Sequence, residues 1–327
     1  MKKHLYTPPD NTIWQGRIDQ PVGPTTQRWH QKIKMWDLNH SQVVLPQTQT
    51  TIALLGFCVD EGVKRNGGRP GAKDGPAAIR KALVNLPVHF PEHVSLLDVG
   101  DILCQNGNLE EAQDELGEAV KQLLVAGCLP IVLGGGHEVA YGHYLGQKEK
   151  ITKHKSLGVF NIDAHFDLRP FENGSHSGSG FLQIATDCKK NDTDFSYFCL
   201  GIQKSANSQD LFLKASELNT KFIEAQNLNA ENRSANLAEV RRFCDEQQSL
   251  YLTICLDAFA ANFAPGVSAP SALGILPAEA MYFINAVLKS QKVIGIDIAE
   301  LNPQHDVANV TSKLAAQLIF QCIDQLT

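Results

Sequence analysis

Beyond residue 50 the apolar residues fall into short unbroken runs instead of alternating with polar ones. The runs are TIALLGF, VSLLDVG, PIVLGG, LGVFNID, YFCLGI, LYLTICLD and VIGIDIAE, with KFIEA near residue 221 a weaker eighth. A strand apolar on both faces is one that other layers cover on both sides. Between the runs lie helix-length amphipathic stretches: KDGPAAIRKALVNL, LEEAQDELGEAVKQLLVAG, ANLAEVRRFCDEQ, PAEAMYFINAVLKS and ANVTSKLAAQLIFQCIDQL. This alternation predicts a three-layer α/β/α fold around a mostly parallel sheet of about eight strands. No Pro/Ser-rich linker or repeat divides the chain, so one domain is expected over residues 1–327. Residues 1 to about 50 differ: rich in Gln, Thr and Pro, they carry all three tryptophans, Trp14, Trp29 and Trp36. They read as an irregular arm that packs on the main body or meets a neighbouring subunit.

In open parallel sheets, ligands gather beyond the carboxyl ends of the strands. Here four strand exits carry ligand-type residues. PIVLGGGHE ends on three glycines and His137; LGVFNIDAHFD on Asp163, His165 and Asp167; LYLTICLD on Asp257; VIGIDIAELNP on Asp297 and Glu300. In extended backbone, Asp163, His165 and Asp167 point to one face. Two carboxylates crowded there repel each other, and a divalent cation relieves the repulsion. Oxygen-rich ligation with some imidazole suits Mn²⁺. Two such ions about 3.5–4 Å apart activate a water as nucleophile. Hydrolysis of an unactivated C–N bond by metal-bound hydroxide is the chemistry expected.

Composition narrows the setting. The chain is 43% hydrophobic and 20% charged with a net charge of −6, so no nucleic-acid partner is expected. No run approaches a membrane span, and the start, MKKHLYTPPDNTIWQG, lacks the apolar core of a signal peptide, so a cytoplasmic location is expected. The eight cysteines form no CxxC pair and read as reduced and mostly buried.

Taken together, GGGHE and DAHFD resemble two metal motifs of the arginase/agmatinase superfamily, the ureohydrolases. The resemblance runs over about residues 50 to 325. GGGHE matches a Gly-Gly-x-His motif at His137, and DAHFD matches Asp-Ala-His-x-Asp letter for letter. TICLDAFAANFAPG matches a third motif in spacing, and GAKDGPAAIR resembles an early Gly-Pro helix start. The resemblance implies Mn²⁺ held by His137, Asp163, His165, Asp167 and Asp257. It departs at Cys255, where the family carries an aspartate that bridges both metals. Three outcomes stay open: Cys255 ligates as a thiolate, water fills its place, or the second metal binds weakly. The resemblance further implies that His176, in NGSHSGSG, shuttles a proton, as Asp167 also could, and that Glu300 holds the planar cationic head of the substrate. Homo-oligomers of unspecified size are implied as well.

The substrate tail remains. Arg169 follows DAHFD, and Arg65 and Arg69 lie in the loop VKRNGGRPG after the first strand. An arginine presents a bidentate fork to a carboxylate. Three near one mouth point to a small-molecule dicarboxylate. The Cys-Leu-Asp variant, Arg169 and RNGGRPGA resemble the bacterial branch that splits N-formimidoyl-L-glutamate into L-glutamate and formamide. Two alternatives are another guanidino-acid ureohydrolase and a non-catalytic relative with a degenerate metal site.

Overall fold

A computed structural model describes residues 1–2, 4–40, 50–148 and 157–327. Eight long strands form the sheet: β3 (Thr50–Cys58), β4 (Val94–Leu103), β5 (Cys128–Leu133), β6 (Leu157–Ile162), β7 (Ser196–Ile202), β8 (Lys221–Glu224), β9 (Ser249–Cys255) and β10 (Val293–Ala299). All eight expected strands are present and their pairings are parallel. Two two-residue strands, β1 (Tyr6–Thr7) and β2 (Lys34–Met35), come from the arm and pair with β4, the first antiparallel. The spatial order is β1-β4-β3-β5-β10-β9-β6-β7-β8. The four exits picked out above thus belong to four adjacent central strands, β5, β10, β9 and β6.

The expected helices form as α2 (Gly75–Leu83), α3 (Leu109–Val125), α7 (Arg233–Glu246), α8 (Pro277–Leu288) and α9 (Val310–Leu326). Four further helices lie outside the stretches singled out above: α1 (Glu61–Arg65), α4 (Val139–Lys148), α5 (Gly180–Lys190) and α6 (Gln209–Glu217). Successive strand residues feed opposite layers. Ile52 and Leu54 of β3 join a core with α2, α8 and α9, whereas Ala53 and Leu55 join one with α3. Val159 of β6, Tyr197 of β7 and Tyr251 of β9 pack with α5 and α6. This is why the strands read as apolar on every position. Among the described residues, no helix is long and apolar enough to cross a membrane. All eight cysteines are free, and six are buried.

The arm packs on this body, apart from residues 41–49, which lie outside the described residues. Trp14 and Trp29 enter the core on one side of the sheet and Trp36 that on the other. Trp14 also donates its indole N–H to Asp98 Oδ2 at 2.7 Å. That carboxylate is held by Arg80, whose Nε and Nη2 reach its two oxygens at 2.8 and 2.9 Å. Arg80 Nη1 meets Asp101 at 2.6 Å. Arg80 is 1% exposed and Asp98 is equally buried. Removing one partner of a buried ion pair strands the other charge. Arg80→Met is expected to lower unfolding stability by about 3–5 kcal/mol, read as a shift in denaturant midpoint and loss of Trp14 burial by fluorescence.

Candidate metal centre

The registers that align the strands also level their exits. Ala299 pairs with Cys255, Ile162 with Ile254, and Ile298 with Leu133. The residues just beyond therefore converge. The glycine turn after β5 is tight enough that a methyl on Gly135 would sit 1.7 Å from the Val59 carbonyl oxygen. It carries His137 inward. Asp167 (φ 48°) and Glu300 (φ 72°) both take the left-handed conformation, uncommon outside glycine and least expected for a glutamate. Glu300 is held there by its N–H on the Gly135 carbonyl at 2.8 Å.

Two groups of ligand atoms result, each within 4.8 Å: His137, Asp163 and Cys255, and Asp163, His165 and Asp257. Asp163 is common to both. His137 Nδ1 lies 2.9 Å from Asp163 Oδ2 and 2.9 Å from Asp167 Oδ2. It makes no aligned hydrogen bond to either. His165 Nδ1 lies 3.4 Å from Asp163 Oδ1 and 3.2 Å from Asp257 Oδ2. Asp163 is steadied from behind by the His165 N–H at 2.8 Å and Asn161 Nδ2 at 3.2 Å. Asp257 Oδ1 and Glu300 Oε2 are buried without a partner among the described residues. Orphaned oxygens and an imidazole nitrogen around a shared carboxylate are what a cation would satisfy. Oxygen and nitrogen donors of this kind suit a hard divalent ion of octahedral preference.

The electrostatics agree. Burial opposes the charge on Asp163, but His137 and His165 more than offset it and hold its carboxyl below the usual range. Burial and then Asp163 push Asp167 up. Burial would lower His137 and His165, yet the facing carboxylates push both well above the ordinary imidazole value. In the protein alone, protons thus do part of the neutralising. Burial, then Asp163, Asp257 and Glu300, pushes the Cys255 thiol well up. Cys255 is therefore a neutral thiol beside the ligands, and ligation would require the cation to displace its proton.

His137, His165, Asp167, Cys255, Asp257 and Glu300 line a cavity of about 290 Å³ together with Asn66, Ser177, Asn207 and Ser268, with Asp163 fully buried behind them. Arg169 is on its wall, and its guanidinium makes no hydrogen bond to the described residues. Arg69 is also on the wall, but its Nε donates to the Ser268 carbonyl at 2.9 Å and its Nη2 to that of Val267. Arg65 does not reach the rim. It is drawn to Glu110 at 2.8 Å and to the Ser175 carbonyl at 3.0 Å, because both carboxylate and carbonyl lie beside its short helix. His176 is not among the lining residues. Its Nε2 meets the Pro170 carbonyl at 2.9 Å and its Nδ1 accepts from Gly178 N at 3.2 Å, so its own loop occupies both nitrogens. Its neighbour Ser177 faces the cavity instead. Asp297 lies one step behind, fully buried within β10. The polar wall residues carried no motif. Asn207 is recruited by folding: its amide clamps Phe166 N at 3.0 Å and the Ala164 carbonyl at 2.8 Å, bracing the DAHFD turn.

A carboxylate and imidazole cluster beyond the central strands of a parallel α/β/α sheet defines a metal-site enzyme class. The arginase family profile matches residues 50–324. Relatives named formimidoylglutamase from Clostridium tetani and Geobacillus kaustophilus are 42% and 43% identical, each over 98% of this chain and 96% and 97% of their own. The crystal structure of Trypanosoma cruzi formiminoglutamase with Mn²⁺ superimposes with a TM-score of 0.75 at 26% identity, covering 86% of this chain and 95% of that one. The chain belongs to the arginase family of hydrolases.

Two outcomes follow from the cluster. Cys255→Asp restores a hard oxygen donor and is expected to tighten Mn²⁺ binding at least about tenfold, measured by titration of metal-stripped protein. Burial, then Asp257 and Glu138, raises the Glu300 carboxyl to about 8. A carboxyl raised on folding binds its proton more tightly in the folded state, so its contribution to stability falls as pH rises from the unfolded value, about 4.5, to about 8. Metal-free Glu300→Gln should therefore outlast the parent protein in denaturant above pH 8, with the advantage vanishing toward pH 4.5.

Proposed function

We propose that the chain hydrolyses N-formimidoyl-L-glutamate to L-glutamate and formamide, one water being consumed. The observation that carries this reading is the pairing, in one cavity, of a buried Glu300 carboxylate oxygen and the Arg169 guanidinium, neither of which has a hydrogen-bond partner among the described residues; Asp210 acts on Arg169 only through its charge. A planar cation on a short acid tail complements both. The names of the 42% identical relatives support the same substrate. The chemistry of the donor set supports two Mn²⁺ ions, one toward His137, Asp163, Asp167 and Cys255 and one toward Asp163, His165 and Asp257. Bound there, they would supply Lewis-acid charge and lower the pKa of water.

The protein's own residues then have distinct tasks. Glu300 Oε2 pairs with the formimino nitrogen in a charge-assisted contact, while Oε1 stays on the His137 N–H at 2.9 Å. Charged in that role, Glu300 must lose its proton, and a cation beside Asp257 favours that loss. Arg169 takes a tail carboxylate, and Arg69 Nη1, which has no hydrogen bond among the described residues, is available to the other. Asp167, which faces the cavity, would take the proton that the attacking water loses and hand it to the departing α-nitrogen of glutamate. His176 could share that task only by giving up its bonds to Pro170 and Gly178. The three tryptophans packed into both layers support a single domain with its arm, and the eight free cysteines support a reducing, cytoplasmic setting.

The test is glutamate release from N-formimidoyl-L-glutamate by chelator-stripped protein, with and without Mn²⁺. Mn²⁺-dependent release is expected. Hydrolysis of a guanidino acid in its place would overturn the substrate, and no turnover of either would overturn the catalytic reading. Arg169→Ala is expected to raise KM by about 10–100-fold, corresponding to about 1.5–3 kcal/mol for a charged hydrogen bond, with kcat changed far less.

A further inference from the structure

Behind the metal cluster runs a buried polar chain that the reaction does not use. His137 Nε2 lies 3.0 Å from Thr253 Oγ1. The same hydroxyl donates to Asp297 Oδ1 at 2.6 Å. Having spent its proton on the carboxylate, the Thr253 oxygen accepts from His137. The ring therefore carries its hydrogen on Nε2, and in its neutral form presents the Nδ1 lone pair to Asp163 and Asp167. Thr253 and Asp297 are register partners on β9 and β10, so the sheet itself sets their separation. Asp297 is held on its other oxygen by His143 Nδ1 at 2.8 Å and by the Tyr251 hydroxyl. His137, His143, Tyr251, Thr253 and Asp297 are all at most 2% exposed. Water is excluded from this arrangement, so the protein alone decides which nitrogen is protonated.

We propose that Thr253, backed by Asp297, is a positioning residue that selects the Nε2–H tautomer of His137 and aims its Nδ1 at the cation. The inference rests on the metal reading. It does not depend on the substrate. An imidazole has two nitrogens, and only one can ligate while the other donates. With the hydroxyl removed, His137 loses its acceptor. The ring is then free to take the other tautomer, with a hydrogen where the ion must sit, or to rotate. A plain packing role for Thr253 would affect stability without touching metal affinity. A hydroxyl between imidazole and carboxylate should instead show in the affinity itself, about 10–100-fold for an outer partner of a metal-ligating histidine.

The experiment is direct Mn²⁺ titration of metal-stripped protein, following free Mn²⁺ by electron paramagnetic resonance, with thermal unfolding of each metal-free variant alongside. Thr253→Val keeps the shape and removes the hydroxyl; its affinity at the His137 side is expected to fall about 10–100-fold. Thr253→Ser restores the hydroxyl and is expected to bind within about twofold of the parent. If Thr253→Val does not fold, Thr253→Ala carries the same expectation. Unchanged affinity in the variant lacking the hydroxyl, or an equal loss in Thr253→Ser, overturns the proposal. A parent protein that binds no Mn²⁺ overturns the metal reading and this inference with it, whereas a parent that binds Mn²⁺ but releases no glutamate leaves the titration as the judge of Thr253 alone.

Discussion

Repulsion among carboxylates organises this molecule. Asp163, Asp167, Asp257 and Glu300 converge where water is scarce, and among the described residues none of them forms an ion pair with a lysine or an arginine. Charges so placed must protonate, pair with imidazolium or bind a cation. The two imidazoles do the first share of that work, and the orphaned oxygens on Asp257 and Glu300 mark the rest. Such an arrangement persists only if the scaffold holds it against its own strain. The left-handed backbone at Asp167 and Glu300, and the glycine turn beneath His137, are the local signs of that restraint.

The restraint comes from the parallel sheet. Four strands distant in the chain lie side by side and end at one level, because the pairing register is set by layers of apolar side chains above and below. Each strand exit brings one piece of the cluster. The strand interiors reinforce it: Tyr251, Thr253 and Cys255 share one face of β9, so the same two-residue repeat that places Cys255 in the cavity places Thr253 behind His137. The arm adds a brace at the far edge, where Trp14 reaches the Arg80–Asp98 pair.

The rim follows different rules. Arg65, Arg69 and Arg169 look alike in the chain, yet they meet different partners. Arg65 is consumed by Glu110, Arg69 is half consumed by carbonyls of residues 267 and 268, and Arg169 is left open to the cavity. His176 and Ser177 exchange places in the same sense. A histidine can satisfy both nitrogens within its own turn, and this one does, so the smaller Ser177 faces inward.

Read from the chain alone were the sheet, its eight strands, most of the long helices and the candidate ligands His137, Asp163, His165, Asp167 and Asp257, which the fold brings together. These depend on short-range rules: continuous apolar runs, a two-residue repeat, ligand types at strand ends. Cys255 stood out only through the family resemblance, which puts an aspartate in its place. The strand order, the central position of Asp163 between the two groups, the fate of each arginine, the turning of His176 and the buried link from Thr253 to Asp297 emerged with the folded chain. Those depend on which groups remote in the chain come within hydrogen-bond reach. A carboxylate 45 residues from an arginine, or a threonine 44 residues from an aspartate, leaves no local pattern to read. Pairing of that range is chosen by packing, and packing is settled only when the whole sheet closes.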